Sequence, residues 1–276
     1  MKPLAEWRTP PGLRGLLFDI DETLTTEGRL TANAYAAMER LKNAGKMVVP
    51  ITGRPAGWCD HIARMWPVDG VVGENGAFWF RHDNGKLFKN YHDTEKIRVR
   101  NRKRLAAIGA RILKEVPGCA LASDQSYRET DLAIDYCEDV PALPLEAAQR
   151  IAGLMRAEGL NAKVSSIHVN GWFGSYDKLA MAKRLFAEQF DCGAAQLQKD
   201  FAFAGDSPND APMFAFFEHS VGVANVARFA GQLEAEPKYV TRGASGAGFA
   251  ELATHLLAQF PPRFPPCFPP CFPSSA

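Results

Sequence analysis

Gly15-Leu16-Leu17-Phe18-Asp19-Ile20-Asp21-Glu22-Thr23-Leu24-Thr25 sets a short apolar run against two acids. The run lacks polar alternation, which suits a strand buried on both faces, as in a parallel sheet, with its C-terminal end at Asp19. Residues 31–44 then show helical spacing: Ala34, Met38 and Leu41 share a face, and Gly45 stands where a C-cap glycine belongs. A second apolar run, Met47-Val48-Val49-Pro50-Ile51, ends at Thr52-Gly53-Arg54, and a helix is expected over about 55–65. The third run, 68–72, leads into Glu74-Asn75-Gly76-Ala77. Strand, helix, strand, helix, strand at this spacing predicts an α/β fold, a parallel sheet with crossover helices.

The pattern then changes. Phe78-Trp79-Phe80, Asp83-Asn84-Gly85 and Leu87-Phe88 read as a hairpin. A basic helix is expected over 96–113, a strand over 132–136, a helix over 145–158 and one alternating stretch over 163–170. Residues 81–171 therefore read as an inserted α+β unit. The parallel pattern resumes with a helix over 176–190 and the strand Phe201-Ala202-Phe203-Ala204-Gly205, which ends in Asp206. Short strands at 220–223 and 239–241 and a helix at 249–257 close it. The expected organisation is a discontinuous core, 12–80 with 172–259, an insert over 81–171, and a Pro-rich tail, 260–276. In that tail Phe-Pro-Pro recurs every four residues, a density of proline that suits polyproline or disorder and not a sheet or helix.

Bulk properties narrow the function. The 276 residues are 46% apolar, enough for a sizeable core without disulfides. A net charge of +1 carries no footprint for nucleic acid, so an anionic substrate would need a local pocket. The six cysteines form no CxxC pair and have no histidine cluster at zinc spacing; they read as reduced thiols. The first eleven residues lack the apolar stretch of a signal peptide, and no apolar run nears the ~20 residues that span a bilayer. The expectation is a cytoplasmic protein, monomeric or weakly dimeric, with neither membrane nor nucleic acid as partner.

Four segments fall at the C-terminal ends of expected parallel strands or just beyond, the edge where open α/β sheets bind ligands. They are Asp19-Ile20-Asp21-Glu22-Thr23, Thr52-Gly53-Arg54, Lys178, and Gly205-Asp206-Ser207-Pro208-Asn209-Asp210. Asp-x-Asp alone would be a surface turn. Acids at the ends of two buried strands are different: together they would repel unless they held a hard cation, and oxygen ligands beside a phosphate favour Mg²⁺. Such an ion keeps a carboxylate ionised and nucleophilic, while a second carboxyl could carry a proton to a leaving oxygen. Gly53 allows close backbone approach to a ligand. Lys178 starts a helix, where a cation opposes the macrodipole; Thr52 could equally be a simple helix cap.

Asp19-Ile20-Asp21-Glu22-Thr23-Leu24-Thr25 resembles the first motif, DxDxTLT, of the haloacid dehalogenase superfamily. Thr52-Gly53-Arg54 resembles its second, Lys178 its third, and Gly205-Asp206-Ser207-Pro208-Asn209-Asp210 its fourth, in family order. The insert is similar to the C2-type cap of the IIB branch, which includes sucrose-, trehalose- and mannosyl-3-phosphoglycerate-phosphatases and Cof-like enzymes; Glu74-Asn75-Gly76-Ala77 resembles a stretch common there. The resemblance implies a Rossmann-like core with a cap, and a Mg²⁺-dependent phosphatase acting on a small phosphorylated metabolite, foremost a sugar phosphate. It implies that Asp19 attacks phosphorus and that Asp21 acts as acid and base. Mg²⁺ would be bound by Asp19, Asp206 and the Asp21 carbonyl, with Asp210 holding Lys178 or the metal's surroundings. Thr52, Gly53, Lys178, Asn75 and Asn209 would surround the phosphoryl group. Glu22 departs from the glycine common at its position and adds charge near the phosphate site unless it points away. In the cap, Arg128, His168 and Asn170 are candidate substrate contacts, each with a cap or hinge hydrogen bond as its alternative. Arg54 could reach a phosphate or pair with an acid. A phosphomannomutase-like transferase and a non-catalytic binding protein on the same scaffold are the rival readings.

Overall fold

The computed structural model describes residues 1–165 and 167–258; the Phe-Pro-Pro repeats of 260–276 lie outside the described residues. The chain opens with β1 (Lys2–Pro3), β2 (Gly15–Phe18), α1 (Ala32–Asn43), β3 (Met47–Pro50), α2 (Ala56–Met65), β4 (Val71–Gly73), β5 (Phe78–Asp83) and β6 (Lys86–Tyr91). It continues through α3 (Glu95–Glu115), β7 (Ala120–Leu121), β8 (Asp131–Asp135), α4 (Leu145–Ala157), β9 (Asn161–Val164) and β10 (His168–Trp172). It ends with α5 (Lys178–Phe190), α6 (Ala194–Asp200), β11 (Phe201–Gly205), α7 (Ala211–Phe216), β12 (His219–Gly222), β13 (Tyr239–Val240) and α8 (Ser245–Ala258).

Six parallel strands form the main sheet in the order β1-β13-β12-β11-β2-β3. Leu16 and Phe18 of β2 face a layer containing Met38, Leu41, Phe249 and Leu252, while Leu17 faces Met181, Leu185 and Phe186 on the other side. Helices thus cover both faces, which is why these strands read as continuous apolar runs. From β2 the chain moves outward to β3, whereas β11, on the other side of β2, leads to β12 and β13. The strand order therefore reverses between β2 and β11, the place where such sheets bind ligands. β1 and α6 had no signal in the sequence: two residues and seven are too short for periodicity to register.

β4 joins the main sheet through one parallel bridge, Ile51 to Val72, and pairs antiparallel with β5. β5 and β6 form the expected hairpin, with Asn84 and Gly85 at φ 48° and 74°, as a type I′ turn requires. Phe78 stacks on Phe80, Tyr91 meets the pair tilted and edge-on, and the three pack with Cys59 and Ile62 of α2. The hairpin's second half belongs with the core, not with an insert beginning at residue 81. Aromatic packing placed it there, which its alternation alone could not show.

The remaining antiparallel sheet, β7-β8-β10-β9, carries α3 and α4 on one face. Leu132, Ile134 and Val169 point at Leu105, Ile108, Ile151 and Met155. By strand alternation Asp131, Asp135, His168, Asn170 and Trp172 occupy the opposite face. The stretch expected as one strand over 163–170 is two strands, β9 and β10, pairing Val164 with Val169. The buried face passes from the even residues Ala162 and Val164 to the odd residue Val169, the change of phase that the reversal imposes. Ser165 marks it, its hydroxyl accepting from the His168 N–H at 3.0 Å.

Candidate active site

Asp19 and Asp206 stand at the ends of neighbouring central strands, β2 and β11, whose register pairs Phe18 with Ala204. The Asp19 N–H donates to the Ala204 carbonyl at 3.0 Å, so the ladder itself fixes the position of Asp19. Asp210 follows on the single 3₁₀ turn Pro208–Asp210, whose capping box joins Ser207 to Asp210. Carboxylate oxygens of Asp19, Asp206 and Asp210 all lie within 4.8 Å of one another, and all three residues are buried. Gly205 is required beside them: a Cβ there would meet Asp210 Oδ2 at 2.5 Å. Lys178, capped into the start of α5 by Asp177, reaches Asp19 Oδ1 at 2.7 Å and Asp210 Oδ1 at 3.1 Å.

Burial dominates the electrostatics here. It pushes the Asp19 carboxyl up to about 7, against the opposing charge of Lys178. It also pushes Asp206 well above the usual carboxylate range, helped by Asp210 and Asp19. Burial alone would lower Lys178, but Asp19 and Asp210 outweigh it and raise the ammonium above an ordinary lysine. Three carboxylates facing one ammonium leave two negative charges uncompensated when all are ionised. That surplus, in a site made of oxygen donors, fits a divalent hard cation. Asp210 is the least free of the three: Oδ1 holds Lys178, and Oδ2 accepts from the Asp206 and Ser207 N–H groups at 3.1 and 3.4 Å.

The Asp21 carboxylate is not in this cluster. Arg54 draws it away with Nε at 2.9 Å and Nη2 at 2.7 Å from Oδ1. Arg54 also reaches Glu138 Oε1 at 3.3 Å and Asp124 Oδ2 at 3.7 Å, both on the insert, and lies over the Trp58 ring. The sequence left Arg54 between a phosphate and an acid; the acid has it. Arg128 is committed likewise. Its guanidinium donates to Asp124, Asp131 and the Gly53 carbonyl at 2.9–3.1 Å, so it clamps the insert to the core and has little left to offer a substrate. His168 Nε2 lies 2.8 Å from Glu138 Oε2; this contact and then Arg54, working against burial, hold Glu138 down to about 2. Asn170 donates to Asp131 at 3.0 Å. The hydroxyl of the fully buried Thr52 accepts from the Arg54 N–H at 3.0 Å and keeps its own proton to donate.

Three residues carry more of the site than their sequence context suggests. Glu74 is fully buried and accepts from the N–H groups of Ala56, Glu129, Thr130 and Asp131 and from the Thr130 hydroxyl, tying the core to the insert. Glu74, Asn75 and Gly76 all have positive φ, and a Cβ at Gly76 would strike the Asp177 carbonyl at 2.1 Å. Asn75 is held in the same loop, and its buried Nδ2 has no hydrogen-bond partner among the described residues. Asn225 donates to Asp206 Oδ2 at 3.1 Å and to the Glu22 carbonyl at 2.9 Å, bracing the acid cluster against the first loop. The Glu22 side chain accepts from the Ser245 hydroxyl at 3.1 Å and the Gly28 N–H at 3.4 Å, so its charge is spent on neighbours outside the cluster. A lone Asn in Val223-Ala224-Asn225 gave no signal for its role. Glu74 lay in a stretch whose family likeness was visible but whose use was not.

Asp19, Asp21, Gly53, Arg54, Asn75, Arg128, His168, Asn170 and Asn209 line one small pocket of about 30 Å³ between core and insert. Lys178, Asn75 and Asn209 also line a neighbouring cleft of about 630 Å³.

Residues 16–100 match the family model of haloacid dehalogenase-like hydrolases. The motif segment and the fold are those of the haloacid dehalogenase-like hydrolases. Solved structures sharing the fold include a HAD/Cof-like hydrolase from Plasmodium vivax, 16% identical over 90% of this chain and 96% of its own, TM-score 0.67. A trehalose-6-phosphate phosphatase related protein is 17% identical over 89% of this chain and 99% of its own, TM-score 0.59. The sucrose-phosphatase from Synechocystis, solved with sucrose and phosphate, is 14% identical over 88% of this chain and 97% of its own, TM-score 0.60. At these identities the likeness is one of fold. No curated protein matches the sequence. Within the haloacid dehalogenase-like fold, the matched segment holds Asp19, Asp21, Thr52 and Asn75, while Lys178, Asp206 and Asp210 reach the same edge from outside it. Among the described residues no helix is long and apolar enough to cross a membrane.

Proposed function

We propose that this chain is a Mg²⁺-dependent phosphatase of a small phosphorylated metabolite, foremost a sugar phosphate, working through an aspartyl-phosphate. The observation that carries this reading is the buried cluster of Asp19, Asp206 and Asp210 around Lys178 at the topological switch point. An acid set this dry and this crowded is costly to keep for structure alone.

In this reading Asp19 Oδ attacks phosphorus, forming the Asp19–O–P bond as the phosphorus–alkoxide bond breaks. Asp21 gives its proton to the departing alkoxide and then takes one from the water that hydrolyses the acyl phosphate. Lys178 neutralises charge on the phosphoryl oxygens, and the Thr52 hydroxyl and Asn75 Nδ2 donate to them. Asp210 positions Lys178, and Asn225 positions Asp206. Asp19 and Asp206 would hold Mg²⁺, which when bound neutralises the phosphoryl group's charge and keeps Asp19 ionised. The work is mostly positioning and charge compensation, as phosphoryl transfer requires. The Arg54–Asp21 pair must open for Asp21 to act, and since Arg54 also holds Glu138 and Asp124, insert position and Asp21 availability are coupled.

The direct test is phosphate release from a panel of sugar phosphates with Mg²⁺ and after chelation. Release is expected with the ion, loss of at least about 100-fold without it, and recovery on adding it back. A chain that releases phosphate from none of the panel, with the metal present, is not this enzyme.

A further inference from the structure

Outside the acid pocket, α2 leaves large apolar side chains open to solvent. Trp58 and Trp66 flank the buried Ile62 at four-residue spacing, and with Gly57, His61 and Tyr127 they line a cleft of about 540 Å³. Trp58 is 41% exposed, Tyr127 58% and the neighbouring Met65 65%. Apolar patches of this kind are rare on monomers, and those that persist mark binding surfaces. The cleft has two walls. Tyr127 comes from the insert and sits close against α2 because residue 57 is glycine, where a Cβ would meet the Tyr127 side chain at 2.9 Å. Trp58 lies over the Arg54 guanidinium, 4.5 Å from ring centre to Cζ. An occupant of the cleft therefore touches both core and insert.

The Phe-Pro-Pro repeats have the matching chemistry. Proline-rich PxxP segments dock in grooves lined by aromatic rings. The repeats contain Pro262-Arg263-Phe264-Pro265, Pro266-Cys267-Phe268-Pro269 and Pro270-Cys271-Phe272-Pro273. In polyproline geometry the two prolines of each PxxP share an edge, and one four-residue repeat is about 12 Å long. Trp58 and Trp66, eight residues apart on α2, are likewise about 12 Å apart along its axis.

The segment also reaches. It begins just beyond Ala258, the last described residue. α2 follows β3 and α8 follows β13, so both helices run from the C-terminal edge of the sheet to the opposite edge. Leu257 and Trp66 pack on the same core layer. α1 touches both helices: it packs along α8, and its Tyr35 hydroxyl donates to the Met65 carbonyl at 3.2 Å. Helices packed side by side are about 8–10 Å apart, which puts α2 on the order of 20 Å from α8. About six residues of polyproline span that distance, bringing residues 264–273 onto the aromatic row. A tethered segment acts at an effective concentration on the order of millimolar, so a contact too weak to hold a free peptide suffices.

We infer that residues 264–273 dock in cis across Trp58, Ile62, Trp66 and Tyr127, covering the open face of α2 and bridging core to insert. The inference is independent of the phosphatase reading.

Cys267 and Cys271 let the full chain test it. In dilute protein under a glutathione redox buffer, Met65→Cys should form an intramolecular disulfide with one of these two cysteines, mapped by peptide mass. Trapping should be roughly tenfold or more faster than for Leu145→Cys, which is 55% exposed on α4 and far from the row. Both sites are exposed, so neither substitution threatens the fold. Replacing Pro265, Pro266, Pro269 and Pro270 together by glycine should erase the difference. The same replacement in the otherwise wild-type chain should raise acrylamide quenching of Trp58, the exposed tryptophan among the described residues. Equal trapping at residues 65 and 145, or a difference that the glycine variant keeps, overturns the inference. Trapping found only in a covalent dimer, growing with protein concentration, also overturns it and assigns the cleft to the repeats of a second copy.

Discussion

Phosphate release by the Asp19→Asn protein is expected to fall by roughly 10⁴-fold or more, as for removal of other enzymes' nucleophiles. The substitution is close to isosteric. The carboxamide oxygen it introduces can still accept from Lys178, and the N–H to the Ala204 carbonyl is untouched. It also removes one of three carboxylates crowded into a buried site, lowering the surplus of negative charge from two to one. The variant should therefore fold at least as stably as the wild type in the absence of metal, and its lost activity cannot be ascribed to unfolding. Thermal melts beside the assay check this. An Asp19→Asn protein with a wild-type rate would remove Asp19 from the chemistry and point to another carboxylate, Asp21 first.

Lys178→Met should cost both activity and stability, in a way that depends on metal. Lys178 is buried and holds two buried carboxylates at 2.7 and 3.1 Å. Methionine fills similar space but leaves Asp19 and Asp210 without their counter-charge. Breaking a buried pair by removing one partner typically costs about 3–5 kcal/mol, and the metal-free variant should melt correspondingly lower. Mg²⁺ should raise the variant's melting temperature more than the wild type's, since the ion then answers three unpaired carboxylates instead of two in surplus. On the proposed mechanism activity should stay low even with saturating Mg²⁺, because the ammonium assigned to the phosphoryl oxygens is gone. Equal shifts by Mg²⁺ in both proteins would mean that Lys178 and the ion answer different charges.

Much of this was legible in the residues. The apolar runs ending at Asp19, Ile51 and Gly205 identified the central strands because burial on both faces removes polar alternation. The ends of those strands identified the acid cluster, since a parallel sheet sends all its C-termini to one edge. What the residues left open depended on contacts between distant segments. Asp21 is bound by Arg54 rather than by the cluster, Arg128 is a clamp, and residues 81–91 lie on the core. Periodicity reports which face of an element is buried; it does not report which acid a guanidinium finds. Asn225 and Glu74 show the same gap: each is one polar residue whose importance comes from the several donors or acceptors that the fold brings to it.

The placement of Asp19 and Asp206 on adjacent central strands has a bearing on how the molecule moves. Strands in a ladder sit about 4.8 Å apart, and that spacing sets the separation of the two carboxylates. Their backbones can part only when the middle of the sheet opens, which is the last event short of global unfolding. The insert is attached differently, through the side chains of Arg54 and Arg128 and the Glu74 loop. The two acids are thus held in place by the main-chain ladder itself, while the cover above them is held by side chains that answer one another's charge.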